Sequence, residues 1–439
     1  MTRPTTLAAW LAYLETLHPK AIALGLDRVR AVYTRMGTSL ACPVVTVTGT
    51  NGKGSTSAML DAILARAKFR VGLYLSPHLV RYNERVRIAG CEASDDELVR
   101  AFNAVEDART AKSVDGGPDV ALTYFEFGTL AALWLFAQER LDVAVLEVGL
   151  GGRLDAVNIV DADVAVVTSV DLDHMDYLGP TREDIGREKA GIFRPDRPAV
   201  CADPDPPAAL VQHATALGAP LCLIGRDYGF RSQGTQWEYR GPGGARYGLP
   251  MPALRGAYQL ANAATAMAVL GLLHDRLPVT AGAIRDGLLA VELAGRFQVL
   301  PGRPAIVLDV AHNPHAARAL AATLAAMDYY PQTLAVVGML ADKDIAGVVA
   351  AVRTRIDRWF VATLPGPRGA GAAALASELA RVGIPADAIR AFDDIPAALR
   401  AAQGECSEAD RIVVFGSFLT VGAALGALRP GSAPAQRHG

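Results

Sequence analysis

A run of β-branched and apolar residues, Val44–Thr48, passes directly into Gly49-Thr50-Asn51-Gly52-Lys53-Gly54-Ser55-Thr56, and helical periodicity follows over Lys53–Ala67. No other feature constrains the fold as much, because strand, glycine turn and helix in that order open a βαβ unit. The glycines let backbone N–H groups turn toward an anion with no Cβ in the way. The helix N-terminus adds its partial positive charge. Lys53 would reach the β- and γ-phosphates of a nucleotide, with Ser55 or Thr56 near a magnesium ion. The spacing is not the usual G-x-x-x-x-G-K-[ST]: Val47 stands where the first glycine would be, and Gly54 separates Lys53 from Ser55. A plain glycine turn with one exposed lysine is the bland alternative, and the strand–loop–helix context weighs against it.

The alternation continues. Val71–Leu75, Val143–Val148 and Val164–Val170 are apolar runs of buried-strand type, and Asp95–Ala108 and Tyr124–Gln138 read as helices. This predicts an α/β fold: a P-loop-type domain on a mainly parallel sheet. Phe230–Tyr247, with two glycine-rich turn signals, reads as an antiparallel hairpin beside that domain. Helical patterns resume at Tyr258–Leu272 and Thr280–Val291. A second alternating series has strands at Ala305–Leu308, Leu334–Val337, Trp359–Ala362 and Ile412–Phe415, and predicts a smaller Rossmann-like α/β domain. A proline- and glycine-rich break near Glu292–Pro304 sets the division. Residues 1–295 form the first domain with its N-terminal helices, 296–430 the second, and 431–439 a disordered tail.

Composition bounds the function. The chain has 439 residues, 43 basic against 45 acidic, and no basic footprint for nucleic acid. Cys42, Cys91, Cys201, Cys222 and Cys406 are odd in number and form no C-x-x-C pair. They read as small, partly buried thiols in a reducing compartment rather than a disulfide framework or a zinc site. The first residues read as an amphipathic helix, and no apolar run is long enough to span a bilayer. A cytoplasmic protein without membrane partners is expected.

Three further segments carry chemistry. Glu147 ends an apolar strand, where ligands of open α/β sheets collect, and a carboxylate there suits magnesium. The alternative is an edge carboxylate paired with Arg153. The Gly149-Leu150-Gly151-Gly152 run after Glu147 demands unusual backbone angles and favours a site. Another strand ends in Asp171, Asp173, His174 and Asp176, and a helix from about Thr181 carries Lys189. An isolated histidine is more often packed than ligating, and imidazole suits magnesium poorly. In Val307–Ala317, Asp309 closes a strand, Asn313 can cap a helix and Pro314 suits its first position. Capping accounts for Asn313 and Pro314, but not for Asp309 and His312.

Taken together these segments resemble the folylpolyglutamate synthase/dihydrofolate synthase family within the Mur ligase superfamily. The resemblance spans almost the whole chain: TGTNGKGST, SPHLVRYNERVRI (Ser76–Ile88), TYFEFGTLAAL (Thr123–Leu133), EVGLGGRLDAVN, DHMDYLG with EKAGI, GRFQ (Gly295–Gln298), DVAHNPHAA, GMLADKD (Gly338–Asp344) and FGSFLTV (Phe415–Val421). The glycine loop and the Glu147 segment are common to the superfamily; SPHL and TYFEFGT are specific to the folate branch. Ala294 stands where proline is common before Gly-Arg-Phe-Gln, which bears on the stiffness of the linker.

The resemblance implies roles. Thr50, Asn51, Gly52, Lys53, Gly54 and Ser55 would hold ATP, joined by Asn262, Arg296 and Asp309, with His312 in the same site. Ser76, Glu147 and His174 would bind magnesium, with Lys189 carbamylated to help hold a second ion. Lys53, His174, Lys189 and His312 would be the catalytic group. Ala23, Leu24, Gly25 and Leu26, Thr123, Tyr124, Phe125 and Glu126, and Leu154, Asp155 and Ala156 would meet a pterin. The implied cofactors are ATP, Mg2+ at two sites and a monovalent cation such as K+. The implied substrates are dihydropteroate, reduced folates and L-glutamate, handled by a monomer through an acyl phosphate.

Three alternatives stand beside this. A Mur-type peptide ligase would carry a UDP-binding domain of ~100 residues before the loop, whereas 48 residues precede Gly49. A nucleotide-regulated binding protein would not need Glu147, His174, Lys189, Asp309 and His312 together. A folylpolyglutamate synthase without dihydrofolate synthase activity differs in acceptor alone; the N-terminal LGLDRVRAV and the TYFEFGT segment favour the bifunctional bacterial type.

Overall fold

The computed structural model describes residues 3–20, 22–111 and 119–428; the tail 431–439 lies outside the described residues. The chain packs as two compact units. The first comprises residues up to Pro77, Asn83–Ala253 and Leu260–Glu292; the second comprises His78–Tyr82, Leu254–Gln259 and the chain from Leu293 onward.

In the first unit the strands are β1 (Val44–Thr48), β2 (Val71–Tyr74), β3 (Val86–Ile88), β4 (Cys91–Glu92), β5 (Val143–Glu147), β6 (Val164–Val167), β7 (Ala199–Cys201) and β8 (Leu221–Leu223). They form one sheet in the order β4-β3-β2-β5-β1-β6-β7-β8. From β2 to β8 all neighbours are parallel, while β3 and β4 add an antiparallel edge. β1, β2, β5 and β6 are buried along their whole length, which is why each reads as a continuous apolar run. In register, Val47 lies beside Glu147, Tyr74 beside Leu146 and Thr48 beside Val167. The carboxyl ends of β2, β5, β1 and β6 therefore line up along one rim of the sheet.

The helix Lys53–Arg66 is buried on nearly every side. A Cβ at Gly287, on the helix Ala281–Ala290, would come within 2.5 Å of the Ile63 backbone, so glycine there lets the two helices touch. The helices Asp95–Thr110 and Tyr124–Gln138 each start with a complete capping box, Ser94 with Glu97 and Thr123 with Glu126.

The expected hairpin at Phe230–Tyr247 is a three-stranded antiparallel sheet: β9 (Gly229–Ser232), β10 (Gln236–Arg240) and β11 (Arg246–Pro250). Two turns join three strands, and Gly234, Gly243 and Gly244 supply the positive φ angles that those turns require. Trp237 and Tyr239 are buried at alternate positions of the middle strand, and the Trp237 indole N–H donates to Pro250 O at 2.8 Å.

The second unit carries β12 (Gln298–Leu300), β13 (Ala305–Leu308), β14 (Thr333–Val337), β15 (Arg358–Ala362), β16 (Ile389–Phe392) and β17 (Arg411–Phe415), ordered β12-β13-β17-β14-β15-β16. β12 is antiparallel to its neighbour and the rest are parallel. Separate apolar clusters cover its two faces, one around Trp359 and Phe415, the other around Phe360 and Leu399.

No helix among the described residues is long and apolar enough to cross a membrane. All five cysteines are free. The expectation of partly buried thiols fails for Cys91, which is exposed because it sits on the two-residue edge strand β4.

Candidate active site

The glycine loop is held against the segment that follows β6. Thr50 N donates to Ser169 O at 2.8 Å and its hydroxyl to Asp171 O at 3.1 Å. Asn51 N donates to Ser169 Oγ at 3.0 Å, while the Thr168 and Ser169 hydroxyls donate to Asn51 O. A Cβ at Gly49 would lie 1.9 Å from Thr168 Oγ1, and one at Gly52 would lie 2.6 Å from Asn262 Oδ1. Both glycines also hold positive φ. Gly52 gives the helix Lys53–Arg66 no side-chain cap, and its N-terminus adds the partial positive charge that favours an anion. Gly54 and Ser55 are buried in its first turn. Lys53 Nζ folds back onto Gly49 O at 2.9 Å, poised above the loop. Asn262, buried on the helix Gln259–Leu272, closes the far side of Gly52.

Next to the loop, Glu147 is 3% exposed, and its Oε2 accepts the Ser76 N–H at 3.1 Å. Two residues implied as metal ligands thus meet across the ends of β5 and β2. Arg153 pairs with Glu188 at 2.8 Å, which removes the reading of Glu147 as its partner. The glycines after Glu147 act differently from expectation. Gly151 alone of the three has a positive φ. Gly149 and Gly152 are needed for space, since a Cβ would strike the Phe125 ring at 2.5 Å and Glu188 O at 2.7 Å.

His174 adopts a left-handed φ of 52° at the start of a one-turn helix, Met175–Leu178, and its Nε2 lies 3.9 Å from Asp173 Oδ1. Thr181 caps the helix Arg182–Ala190, whose Lys189 is 3% exposed. Burial lowers the Lys189 amine to about 7, helped by the charge of Lys53 and opposed by Asp173 and Asp155. Burial raises Asp155 to about 7, opposed by amides of Leu150, Val157 and Gly149 and by Lys53. Lys53, Lys189, Asp155 and Asp173 therefore share one electrostatic environment.

Among the described residues no three His, Cys, Asp or Glu side chains form a metal cluster by themselves. The implied set is of another kind: a serine, one carboxylate, one imidazole and a modified lysine. An amine lowered to about 7 is neutral in half the molecules at that pH, and only a neutral amine can take up CO2. The residues present fit that set.

The three segments implied for a pterin are joined to each other. Gly25 N donates to Leu154 O at 3.2 Å. Ala23 O accepts from Arg28, which also grips Glu126; Leu24 and Leu26 are half-buried beside them. Thr123 and Glu126 are buried and engaged in their capping box. Tyr124 and Phe125 are half-buried. The Arg85 guanidinium stands 5.6 Å over the Tyr124 ring, and Phe125 lies on Gly149. Asp155 caps the turn Ala156–Ile159, and Ala156 is buried. Arg28 and Arg85 carried no role in the sequence, although Arg85 lies inside the quoted SPHL segment and Arg28 inside the quoted LGLDRVRAV.

In the second unit, Asp309 follows β13 and accepts from the amides of Phe297 at 2.9 Å and Ala311 at 2.8 Å. Burial raises its carboxyl, and the same two amides with Arg296 and His312 oppose the rise. The Arg296 guanidinium lies 5.0 Å over the Phe418 ring. His312 Nδ1 is 2.8 Å from Val310 O, and its ring is 6.1 Å from that of Phe418. Asn313 caps the helix Pro314–Ala325, with Pro314 at its start. Arg296, Asp309 and His312 thus form one cluster around Phe418, a residue the sequence placed within FGSFLTV without a role.

Residues 47–270 match the family model described as the Mur ligase middle domain, and residues 295–418 match that of the Mur ligase glutamate ligase domain. Fold and loop therefore define a Mur-type ligase. The dihydrofolate synthase/folylpolyglutamate synthase of Escherichia coli K12 is 47% identical, over 94% of this chain and 94% of its own. That of Haemophilus influenzae is 40% identical, over 94% and 96%. The chain belongs to the dihydrofolate synthase/folylpolyglutamate synthase family. Among solved structures, E. coli FolC in complex with DHPP and ADP superposes with a TM-score of 0.89 at 46% identity, covering 96% of this chain and 97% of that one. A bifunctional folylpolyglutamate synthase/dihydrofolate synthase with Mn, AMPPNP and L-glutamate bound gives 0.87 at 48% identity, covering 97% and 98%.

Proposed function

We propose that the chain is an ATP-dependent amide ligase that adds L-glutamate to 7,8-dihydropteroate, making dihydrofolate, and to reduced folates, making polyglutamates. The observation that carries this is the glycine loop and helix start around Lys53 set beside buried Glu147 and Lys189, in a chain 47% identical to a relative of that name.

The acceptor's carboxylate oxygen attacks the γ-phosphorus of ATP, and ADP leaves. The amine of glutamate attacks the carbonyl carbon of the acyl phosphate, loses a proton, and phosphate departs. Thr50, whose own donors go to Ser169 O and Asp171 O, fixes the loop; Asn51, Gly52, Gly54 and Ser55 hold the phosphates, and Lys53 neutralises the transferring group. Asn262 supports the loop at Gly52. Arg296, Asp309 and His312 are assigned to the nucleotide as well, with Arg296 preset by its stacking on Phe418. Ser76, Glu147 and His174 would hold one divalent ion and a Lys189 carbamate would help hold a second, and these ions would supply charge neutralisation on the phosphates. Two magnesium ions and a monovalent cation such as K+ complete the set. Ala23–Leu26, Thr123–Glu126 and Leu154–Ala156 take the pterin.

Residues 1–295 act as the ATP-binding domain and 296–430 as the second ligase domain. Five free cysteines fit a cytoplasmic enzyme, and a monomer is the working state. The deciding assay is ADP release with L-glutamate and either dihydropteroate or tetrahydrofolate. Release with both is expected; release with neither sinks the ligase reading, and release with tetrahydrofolate alone restricts it to polyglutamate synthesis.

A further inference from the structure

Three chain segments far apart in sequence, 23–26, 123–126 and 149–156, are linked in a closed triangle. Gly25 N donates to Leu154 O at 3.2 Å. The Phe125 ring rests on Gly149, whose absent Cβ would lie 2.5 Å from it. The third link is Arg28. From the first turn of the helix Asp27–Met36, its Nη2 donates to Ala23 O at 2.7 Å and to Glu126 Oε1 at 2.7 Å, and its Nε donates to Glu126 Oε2 at 3.3 Å.

The first two links are a backbone bond and a ring contact. Arg28 is the one link made by a charged side chain, and its planar fork fixes angle as well as distance. Glu126 cannot move to follow a change, because its Oε2 also receives Thr123 N at 2.7 Å. Arg28 is 31% exposed and Glu126 4%. Glu126 is buried, so losing Arg28 costs stability as well as geometry, and the two effects are read apart by the milder lysine variant and by exchange in a distant strand.

We propose that Arg28 is a positioning residue of the acceptor pocket, holding the 23–26 loop at a fixed distance from 123–126 and so setting the width of the slot for a flat bicyclic ring. The proposal rests on the pterin reading of these segments. Arg28 touches no reacting atom; it acts through Ala23 and Glu126.

The test uses the full chain with Arg28→Gln and the milder Arg28→Lys. In Arg28→Gln the KM for dihydropteroate should rise about tenfold or more, with kcat and the KM values for ATP and glutamate held within about twofold. Arg28→Lys, which keeps charge but loses the fork, should fall between. Hydrogen exchange at the Gly25 amide should quicken about tenfold in Arg28→Gln, while amides of the buried strand Val44–Thr48 stay protected. Unchanged exchange at Gly25, or three KM values that rise together, overturns the proposal. If the unmodified protein turns over neither acceptor, the pterin reading fails, and the exchange result still decides whether Arg28 is the clasp.

Discussion

Lys53 lies 2.9 Å from Gly49 O and 3.4 Å from Thr50 O, so it is held by the loop it serves. Replacing it with alanine should lower kcat by roughly 10²–10³ and leave the unfolding midpoint almost unchanged, as steady-state assay and urea titration would show. Lys189 is different, because the carbamate proposed for it can form only on a neutral amine. With its value lowered to about 7, it takes up a proton as pH falls below that point. Activity should therefore drop below pH 7 and recover in part when bicarbonate is added at fixed pH; a profile indifferent to bicarbonate would remove the carbamate. Asp61, inside the phosphate-loop helix, has an Oδ1 with no hydrogen-bond partner. Burial raises its carboxyl to about 6, opposed by Arg87. The folded chain then keeps a proton that the unfolded chain gives up between about pH 4 and 6, so stability from this group falls as pH rises through that window and stays low above it. Asp61→Asn should stabilise the protein at pH 8 by on the order of 1–3 kcal/mol and hardly at all at pH 4.

The two capping boxes are chemically alike and differ in position. Ser94→Ala and Thr123→Ala should each cost about 1 kcal/mol in chemical denaturation. Only Thr123→Ala should also raise the KM for dihydropteroate, since the lost hydroxyl cap loosens the helix start that carries Tyr124 and Phe125. Elements of this kind were legible: Ser94 and Thr123 each precede a glutamate by three residues, and the buried strands β1, β5, β6 and β14 announce themselves as unbroken apolar runs. β7 and β8, three residues each, are too short to show a period. β16 lies at the sheet edge with Arg390 and Ala391 exposed, so its apolar content is low. The site shows the same division. Gly49, Lys53 and Glu147 sit where a strand ends, a place that sequence marks. Arg28 and Glu126 are 98 residues apart, and nothing local to either names the other. The Gly149–Gly152 run pointed to the right segment for a reason that holds at Gly151 alone; at Gly149 and Gly152 the requirement comes from Phe125 and Glu188, which only the folded chain brings near.

At the scale of the whole molecule, two units with separate cores should melt in two resolvable calorimetric steps. Saturating AMPPNP with Mn2+ at about 100 times its Kd should raise the first by the equivalent of about 2.7 kcal/mol. If Arg296 and Asp309 also serve the nucleotide, the second step should move with it, and should cease to move in Arg296→Ala. A shift confined to the first step would withdraw those residues from the ATP site. The order of strands in the first unit has a further consequence during synthesis. β5 lies between β1 and β2, with Ala144 beside both Val44 and Gly72. A ribosome that has delivered the phosphate loop and β2 has therefore not yet delivered the strand that separates them. Until residue 147 emerges, the nascent chain carries two apolar strand edges waiting for the same insertion, so a pause in translation just before β5 would leave the newborn protein most open to sticking to its neighbours.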